Sequence, residues 1–169
     1  MSKGEYAVEL VVDPHQLAEA FAVRLRVFVE EQGVDEEEEF DDDDFAATTT
    51  HAIVRDLDTG EVVGTARLIF PMLFTDPEVN CAPYSSMENG EAKIGRVAVL
   101  PFARQRGIGT MLMRALEQRA LLSVDPVTIF LSAQVAAAEF YEKQGYQLIG
   151  AVYDDVGIPH RDAIKSLAS

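Results

Sequence analysis

An apolar strand followed by a basic, glycine-containing turn and a helix is the feature that most restricts the fold of this chain. Residues 94–100 form a short apolar run that ends at Pro101. Residues 104–109 (RQRGIG) contain two arginines and two closely spaced glycines, and apolar residues recur at helical spacing directly after them. Such a turn brings backbone N–H groups, a helix N-terminus and cationic side chains to one place. The sequence therefore predicts a binding site for a phosphate or pyrophosphate group.

Size and composition are typical of a soluble globular protein with one domain, here 1–169. Of its 169 residues, 48% are hydrophobic and 25% are charged. Its apolar runs are too short to span a bilayer. Residues 1–5 do not show the cationic and then apolar pattern of a signal peptide, so we expect a cytoplasmic protein without a membrane partner. The single cysteine, Cys81, excludes an internal disulfide and a cysteine-rich metal site.

The net charge of −15 argues against nucleic acid as a partner. Only 4 of the 14 basic residues are lysine. An acidic, lysine-poor surface suits a high-salt cytoplasm, in which screening weakens the repulsion between like charges. An acidic protein from an ordinary cell is the equal alternative.

The order of the predicted elements indicates an α/β fold with a mixed sheet flanked by helices. Asp13-Pro14 is a typical helix start, Gly33 ends that helix, and Asp58-Thr59-Gly60 is a hairpin turn. The predicted strands are residues 6–12, 49–56, 61–70, 93–100, 127–131, 146–153 and 157–165, and the helices are 14–32, 107–123 and 135–144. We expect residues 71–90, which contain three prolines, to be a loop.

A run of acidic residues lies at 35–44, where nine of the ten side chains are Asp or Glu and only Phe40 interrupts them. Such a run is not expected to pack internally and is interpreted as a solvated loop. The functional alternative is a gate or docking surface for a cationic substrate.

Two known glycine motifs are absent from the basic turn. A dinucleotide-binding Gly-x-Gly-x-x-Gly needs a third glycine, and a phosphate-binding loop needs a glycine-lysine pair. What remains is Arg104-x-x-Gly107-x-Gly109 before an amphipathic helix. Here the glycines allow a pyrophosphate to approach the backbone, and Arg104 and Arg106 supply positive charge.

This turn resembles the acyl-CoA signature of the GNAT superfamily of N-acyltransferases. A second block at 138–146 (AEFYEKQGY) is similar to a downstream block of the same superfamily. Residues 24–32 (RLRVFVEEQ) and 157–160 (GIPH) resemble the ElaA-like GNAT proteins. The resemblance implies a GNAT fold: a mixed, mostly antiparallel sheet of about seven strands with flanking helices and splayed central strands.

The resemblance also implies how acyl-CoA binds. The backbone of Val97, Ala98 and Val99 would hold the pantetheine and orient the thioester carbonyl. The alternative is a buried core strand, and both can hold because one concerns the backbone and the other the side chains. The pyrophosphate would be held by Arg104, Gln105, Arg106, Gly107, Ile108, Gly109 and Thr110. Gln134, Phe140 and Tyr141 would complete the site. Tyr141 would protonate the departing thiolate as a general acid, and the alternative is a half-buried helix tyrosine.

The general base is left open by the sequence. The strand at 93–96 has no carboxylate, Glu91 lies just before it, and Glu30, Glu31 and His160 are the remaining candidates. His160 is also a candidate for the substrate pocket. ElaA-like proteins often carry a histidine that residues 133–136 (AQVA) of this chain lack. Three arginines could line the acceptor pocket or pair with carboxylates, namely Arg26, Arg67 and Arg96.

These observations predict an acetyl-CoA-dependent N-acetyltransferase that acts on a primary amine of a small molecule or a protein. It would need no metal and would be a monomer or a homodimer. The alternative is a catalytically silent GNAT-fold protein that binds acyl-CoA as a sensor or assembly partner, and a nucleotide-binding module is disfavoured by the absent glycine motifs.

Overall fold

The computed structural model describes residues 4–70 and 90–169, and their secondary-structure elements follow the predicted order with a short helix added. The strands are β1 (Tyr6–Leu10), β2 (Thr50–Asp56), β3 (Val62–Ile69), β4 (Glu91–Val99), β5 (Val127–Gln134), β6 (Gln147–Asp155) and β7 (Ile158–Leu167). The helices are α1 (Pro14–Arg24), α2 (Glu36–Glu39), α3 (Ile108–Ser123) and α4 (Ala138–Lys143), and a π-helical segment, Leu25–Glu31, continues α1. Short 3₁₀ turns are found at Asp42–Phe45, Pro101–Ala103 and Val135–Ala137. The loop predicted at 71–90 falls, except for Gly90, outside the described residues, as does Cys81.

The strands of the described residues form one sheet in the order β1-β2-β3-β4-β5-β7-β6. Neighbouring strands are antiparallel except for β4 and β5, which are parallel. The last strand of the chain, β7, lies between β5 and β6 rather than at an edge. The predicted mixed, mostly antiparallel sheet of about seven strands is confirmed.

The central strands β4 and β5 separate along half of their length. They are paired over three residue pairs, the last of which is Lys93 with Phe130. Beyond this pair β4 continues to Val99 and β5 to Gln134 with no further ladder between them. On its other side β4 has a bulge opposite β3, where Arg96 has a φ of 53°. The gap opens at the C-terminal ends of two parallel strands, which is where open α/β sheets bind ligands.

Helices α1 and α3 pack on opposite faces of the sheet. A Cβ atom on Gly64 of β3 would lie 2.7 Å from Ile108 of α3, so glycine is needed for the close packing of this helix. Arg67, three residues further along β3, shares the carboxylate of Asp44 with Arg24 of α1. The fully buried apolar side chains include Ile53, Leu68, Ile94, Leu100, Leu112, Met113, Leu116 and Ile129.

The helical region made of α1 and the π-helical segment starts and ends where the sequence predicts, but its second part is wider than an α-helix. The Asp13 side chain accepts a hydrogen bond of 2.8 Å from the Gln16 N–H, and Pro14 occupies the first turn. Gly33 ends the helical region with a φ of 73°. Between them the π-helical segment is closed by the N–H of Gln32, which donates to Val27 O, five residues back.

The interpretation of residues 35–44 as a solvated loop is wrong for part of this segment. The segment forms α2 and enters a 3₁₀ turn, and Glu39 and Asp44 are 4% and 3% exposed. Their burial is possible because Arg24, itself 1% exposed, lies 2.7 Å from Glu39 Oε1 and 2.6 Å from Asp44 Oδ1. Buried carboxylates are tolerated when such a cation compensates them. Phe40 contributes by packing its ring 4.8 Å from the Arg24 guanidinium.

Candidate active site

A cavity of about 650 Å³ occupies the gap between β4 and β5. One wall is the unpaired half of β4, including Gly95, Arg96 and Val97. The opposite wall is formed by β5 and the strands beyond it, and Tyr141 of α4 closes one side. Because β4 has no ladder partner here, backbone N–H and C=O groups on this side of it are available to a ligand. The cavity is therefore suited to an extended molecule that bonds to β4 as a strand would.

The basic turn lies at the N-terminus of α3. Gln105 and Gly107 both have left-handed backbones, with φ values of 62° and 82°. The first helical hydrogen bond runs from Met111 N–H to Gly107 O, so the N–H groups of the three residues between them have no acceptor within the helix. Free N–H groups at the start of a 16-residue helix attract an anion. The geometry of this turn fits a phosphate or pyrophosphate group.

The two arginines of this turn are both held by other side chains. Arg104 donates two hydrogen bonds of 2.7 Å to the carboxylate of Glu31, and its Nε donates to Val99 O. Arg106 donates to the hydroxyl of Tyr6. The hydrogen bonds from Arg104 keep the pKa of Glu31 below its usual value, so this carboxylate is a weak proton acceptor. Glu31 is thus a partner of Arg104, and it lies outside the lining of the cavity.

The two glycines of the turn have different roles. Gly107 is required by its left-handed backbone and faces open space. A Cβ atom on Gly109 would lie 2.9 Å from the ring of Phe140, so Gly109 allows this ring to pack against the turn. Phe140 in turn contacts Tyr141 with ring centroids 5.0 Å apart. From the sequence, we expected both glycines to let a ligand approach the backbone. In the structure, Gly109 is needed because a side chain there would collide with the ring of Phe140.

Tyr141 lines the cavity and is 8% exposed. Burial raises the pKa of its phenol, because a phenolate would lose its hydration there. Tyr141 therefore carries its proton throughout the ordinary pH range. A buried phenol at the wall of the cavity can donate this proton to a base that forms beside it.

Helix α4, which carries Tyr141, is held in position by hydrogen bonds among Glu117, Tyr146 and Lys165. Lys165 Nζ lies 3.0 Å from Glu117 Oε2 and donates to Gln144 O, just beyond the end of the helix. Tyr146 donates its hydroxyl proton to Glu117 at 2.9 Å, and its ring lies 6.1 Å from that of Tyr141. Burial and the negative charge of Glu117 raise the pKa of Tyr146. The short helix is thereby held at a fixed position relative to β7.

The wall opposite β4 is a row of polar side chains across three strands. Gln134 of β5 pairs with His160 of β7, which pairs with Tyr153 of β6. In the neighbouring row, Ser132 of β5 pairs with Asp162 of β7. The Tyr153 hydroxyl donates to Asp162 at 2.6 Å and also contacts the Ser132 hydroxyl. All five side chains line the cavity, and the structure thus brings Gln134, His160 and Tyr141 together as the sequence led us to expect.

One nitrogen of the His160 imidazole, Nδ1, is hydrogen-bonded to the backbone, and the other, Nε2, is available to a ligand. Its Nδ1 lies 2.7 Å from Ile158 O, and because a carbonyl only accepts, Nδ1 carries the proton. In the neutral ring Nε2 then holds a lone pair. No described residue hydrogen-bonds to Nε2, although the residue is only 7% exposed. Stacking on Tyr153, with centroids 6.1 Å apart, fixes the plane of the ring.

The three candidate arginines are all paired with carboxylates. Arg26 is exposed and lies 3.0 Å from Glu61, and Arg67 is buried against Asp41 and Asp44. Arg96 alone among them lines the cavity.

Arg96 is also bound by Glu39 of the acidic segment. Its Nε donates to Glu39 O and lies 3.3 Å from Glu39 Oε1. The acidic segment is therefore a support for the bulge of β4 at the cavity wall.

The remaining predicted site residues are placed as follows. Val97 lines the cavity, whereas Ala98 is 2% exposed and belongs to the core. Gln134 exchanges hydrogen bonds with Gln32, and Thr110 accepts one from Gln144. Glu91 lines the cavity, and its Oε2 is buried without a hydrogen-bond partner.

Within residues 4–70 and 90–169 there is no group of three or more His, Cys, Asp or Glu side chains arranged to hold a metal ion.

Several cavity residues were not found by sequence reasoning. Ser132, Tyr153, Asp155 and Asp162 all line the cavity, as does Phe28 from the π-helical segment. The alternation of residue types in the sequence of β5 (VTIFLSAQ), with small or aliphatic residues at every second position, is a signal that could have indicated Ser132. None of the described helices is long and apolar enough to cross a membrane.

Comparison with known proteins agrees with this geometry. Residues 15–146 match the model of the Acetyltransferase (GNAT) family, and the chain belongs to this family. YjcF of Bacillus subtilis (strain 168), described as an uncharacterized N-acetyltransferase, is 34% identical over 151 residues, which are 89% of this chain and 92% of YjcF.

Solved structures share the whole fold. An acyl-CoA N-acyltransferase from Pseudomonas aeruginosa is 26% identical with a TM-score of 0.72, over 96% of this chain and 99% of that protein. Escherichia coli ElaA has a TM-score of 0.77 at 22% identity, over 95% and 99% of the two chains, and shows the same fold.

Proposed function

We propose that this protein is an acetyl-CoA-dependent N-acetyltransferase that transfers an acetyl group to a primary amine by direct attack on the thioester. The observation that supports the proposal is the cavity between the separated strands β4 and β5. Its wall contains unpaired backbone groups of β4, the protonated phenol of Tyr141 and the available Nε2 of His160. Its membership of the GNAT family supports the same reaction. A cytoplasmic location is part of the proposal.

The binding of acetyl-CoA is assigned to two regions of the chain. The N–H groups at the start of α3, together with Arg104 and Arg106, would hold the pyrophosphate. Backbone groups of β4 from Val97 to Val99 would hold the pantetheine, which supplies the reactive thioester. Val99 O already accepts a hydrogen bond from Arg104 Nε, so a pantetheine donor would use the second lone pair of this carbonyl.

Two side chains are assigned to proton transfer. His160 Nε2 accepts the proton that an ammonium must lose before its nitrogen can attack. A backbone N–H of the unpaired part of β4 stabilises the negative charge that develops on the carbonyl oxygen. Tyr141 then donates its proton to the departing thiolate. Glu31 is not assigned as the base, because Arg104 binds both of its oxygens.

The proposal is tested by thiol release. The protein is mixed with acetyl-CoA and a panel of primary amines, and free thiol is followed with a colorimetric reagent. We expect release that depends on both the amine and the protein. A control without acetyl-CoA accounts for Cys81, the one cysteine of the chain. Calorimetric binding of acetyl-CoA with no thiol release for any amine would favour the silent acyl-CoA-binding protein instead.

A second prediction concerns the partner of Arg104. Replacing Glu31 by glutamine removes a carboxylate that competes with the pyrophosphate for this guanidinium. We expect CoA to bind about two- to fivefold more tightly, which is the range of an exposed ion pair. Isothermal titration calorimetry at low and moderate salt measures the change. Glu30→Gln, which removes an exposed neighbouring charge, is the matched control, and an equal effect of both variants would contradict a specific competition.

A further inference from the structure

The imidazole of His160 lies between two carboxylates in the wall of the cavity. Alternate residues of β7 face the cavity, and these are Ile158, His160 and Asp162. Asp155 of β6 is paired with Ile158 and also lines the cavity. One carboxylate therefore lies to either side of His160 along the strand direction.

These two carboxylates are not neutralised by the protein. Within residues 4–70 and 90–169, neither Asp155 nor Asp162 forms an ion pair, and both are exposed. The contrast with the acidic segment is sharp, since Glu39, Asp41 and Asp44 are all paired with arginines. Apart from Glu91 of β4, the carboxylates of the cavity wall that form no ion pair with a described residue are thus on β6 and β7.

Asp162 is the better organised of the two carboxylates. The Tyr153 hydroxyl donates to its Oδ1 at 2.6 Å, which fixes the side chain and leaves Oδ2 available. His160 and Asp162 are two residues apart on one face of a strand, so their side chains are about 6–7 Å apart.

A second, independent observation points to a ligand at this place. The His160 side chain is more than nine-tenths buried, lines the cavity, and has no hydrogen-bond partner for Nε2 among the described residues. Nε2 itself is not sealed in the interior, so at the cavity wall its lone pair can accept a hydrogen bond from a ligand. A donor such as an ammonium group of a bound acceptor would supply it.

We propose that the acceptor is a small aliphatic amine that carries a second ammonium group about 6–7 Å from the reacting nitrogen, and that Asp162 is the residue that selects it. The reacting nitrogen lies at His160 Nε2, and the second ammonium pairs with Asp162, with Asp155 adding to the negative field. This inference rests on the proposed acetyl transfer, and it names the substrate class of that reaction.

The test compares two amines that differ in one charge. 1,4-Diaminobutane has an ammonium at each end, and 4-amino-1-butanol replaces one of them by a neutral hydroxyl. We expect the protein with CoA to bind the diamine about fivefold more tightly, the upper range for a partly exposed ion pair. Isothermal titration calorimetry measures this without any turnover, and kcat/KM for acetyl transfer should show the same preference through KM.

Variants identify the carboxylate responsible. Asp162→Asn is expected to remove most of the preference for the diamine, because it weakens binding of the diamine more than binding of the amino alcohol, and Asp155→Asn is expected to have a smaller effect. Asp43→Asn, an exposed charge outside the cavity lining, is the matched control and should keep the full preference. Thermal unfolding of each variant checks that it is folded.

The possible failures are distinguishable. Equal binding of the two amines by the wild type, or a diamine preference that survives Asp162→Asn and Asp155→Asn together, overturns the inference and leaves acetyl transfer intact. Absence of thiol release for every amine contradicts the proposed function, whereas the calorimetric preference still decides whether Asp162 selects a dication.

Discussion

Replacing Asp44 by asparagine is expected to lower the free energy of unfolding by about 3–5 kcal/mol, the range for removing one partner of a buried ion pair. Arg24 and Arg67 each donate a hydrogen bond of 2.6 Å to the same oxygen of this carboxylate, and the Asp44 side chain is 0% exposed. The asparagine keeps the shape but leaves two buried guanidinium groups without this negative charge. Equilibrium unfolding in urea, with the midpoint and slope fitted for both proteins, measures the loss.

Two neighbouring variants provide a graded control. Asp43→Asn removes an exposed charge one residue away and should change the stability by less than about 0.5 kcal/mol. Asp41→Asn removes a partner of Arg67 whose side chain is 37% exposed, so its effect should be intermediate. If Asp44→Asn and Asp43→Asn had the same urea midpoint, the buried network would not contribute to the stability of the fold.

The stability difference between wild type and Asp44→Asn should also depend on pH. Burial by itself would raise the pKa of Asp44, but the hydrogen bond and charge of Arg24, aided by Arg67, outweigh it and lower this pKa from 3.8 to about 2. A lowered pKa stabilises the folded protein above the ordinary value and loses that contribution as the pH falls through the folded value. The difference should therefore be full at pH 5 and shrink between pH 4 and pH 2.

The same experiment must take Glu39 into account. Burial raises the pKa of this carboxyl despite its arginine partners. Its contribution has the opposite sign, because protonation of Glu39 favours the folded state. The acid unfolding curve of the wild type alone would mix the two effects. Glu39 and Asp44 share Arg24, so Glu39 responds to the Asp44 substitution, and the comparison of wild type with Asp44→Asn is repeated in a Glu39→Gln background to isolate Asp44.

The acidic segment also shows where sequence reasoning is limited. A run of nine acidic residues in ten is usually solvated because nothing within it can neutralise its charge. Here the cations come from Arg24 on α1, Arg67 on β3 and Arg96 on β4, between 15 and 57 residues away from the groups they bind. Composition rules consider only neighbours along the chain. Phe40, the one apolar residue of the run, was the available signal that the segment packs.

Local signals predicted the helices and strands well, because the interactions that define them are local. Asp13 caps α1 by accepting a hydrogen bond from the backbone N–H of Gln16, three residues later. The apolar face of α3 is set by its own periodicity, and its first turn follows from the left-handed backbone of Gly107. The splay of β4 and β5 is different, since it was expected only from the family resemblance and depends on where two distant strands stop pairing.

The cavity wall at β6 and β7 was beyond the reach of sequence reasoning for a topological reason. Tyr153 and Asp162 meet because β7 lies between β5 and β6 and because a bulge shifts the register of β6 after Ile149. Neither feature has a signal in the order of residues. His160 was a candidate from its motif, but its tautomer and its two flanking carboxylates required the structure.

The largest effect on activity is expected for Tyr141→Phe, which should lower kcat about 100-fold, at the lower end of the range for loss of a general acid. The phenylalanine keeps the ring contacts with Phe140 and Tyr146 and removes only the proton donor. Affinity for CoA should therefore change by less than about twofold, because the groups assigned to the pyrophosphate lie at the start of α3. Single-turnover measurements would place the loss in the chemical step rather than in product release.

Tyr146→Phe is the matched control for this variant. Tyr146 is also a buried tyrosine in ring contact with Tyr141, but its hydroxyl is bound to Glu117 behind α4. Its loss should lower the free energy of unfolding by about 1 kcal/mol, the usual net value of one hydrogen bond, and leave kcat nearly unchanged. An equal fall in kcat for both variants would mean that Tyr141 acts only by supporting the position of α4. An unchanged kcat for Tyr141→Phe would assign the proton on the departing thiol to a different donor, such as water in the cavity.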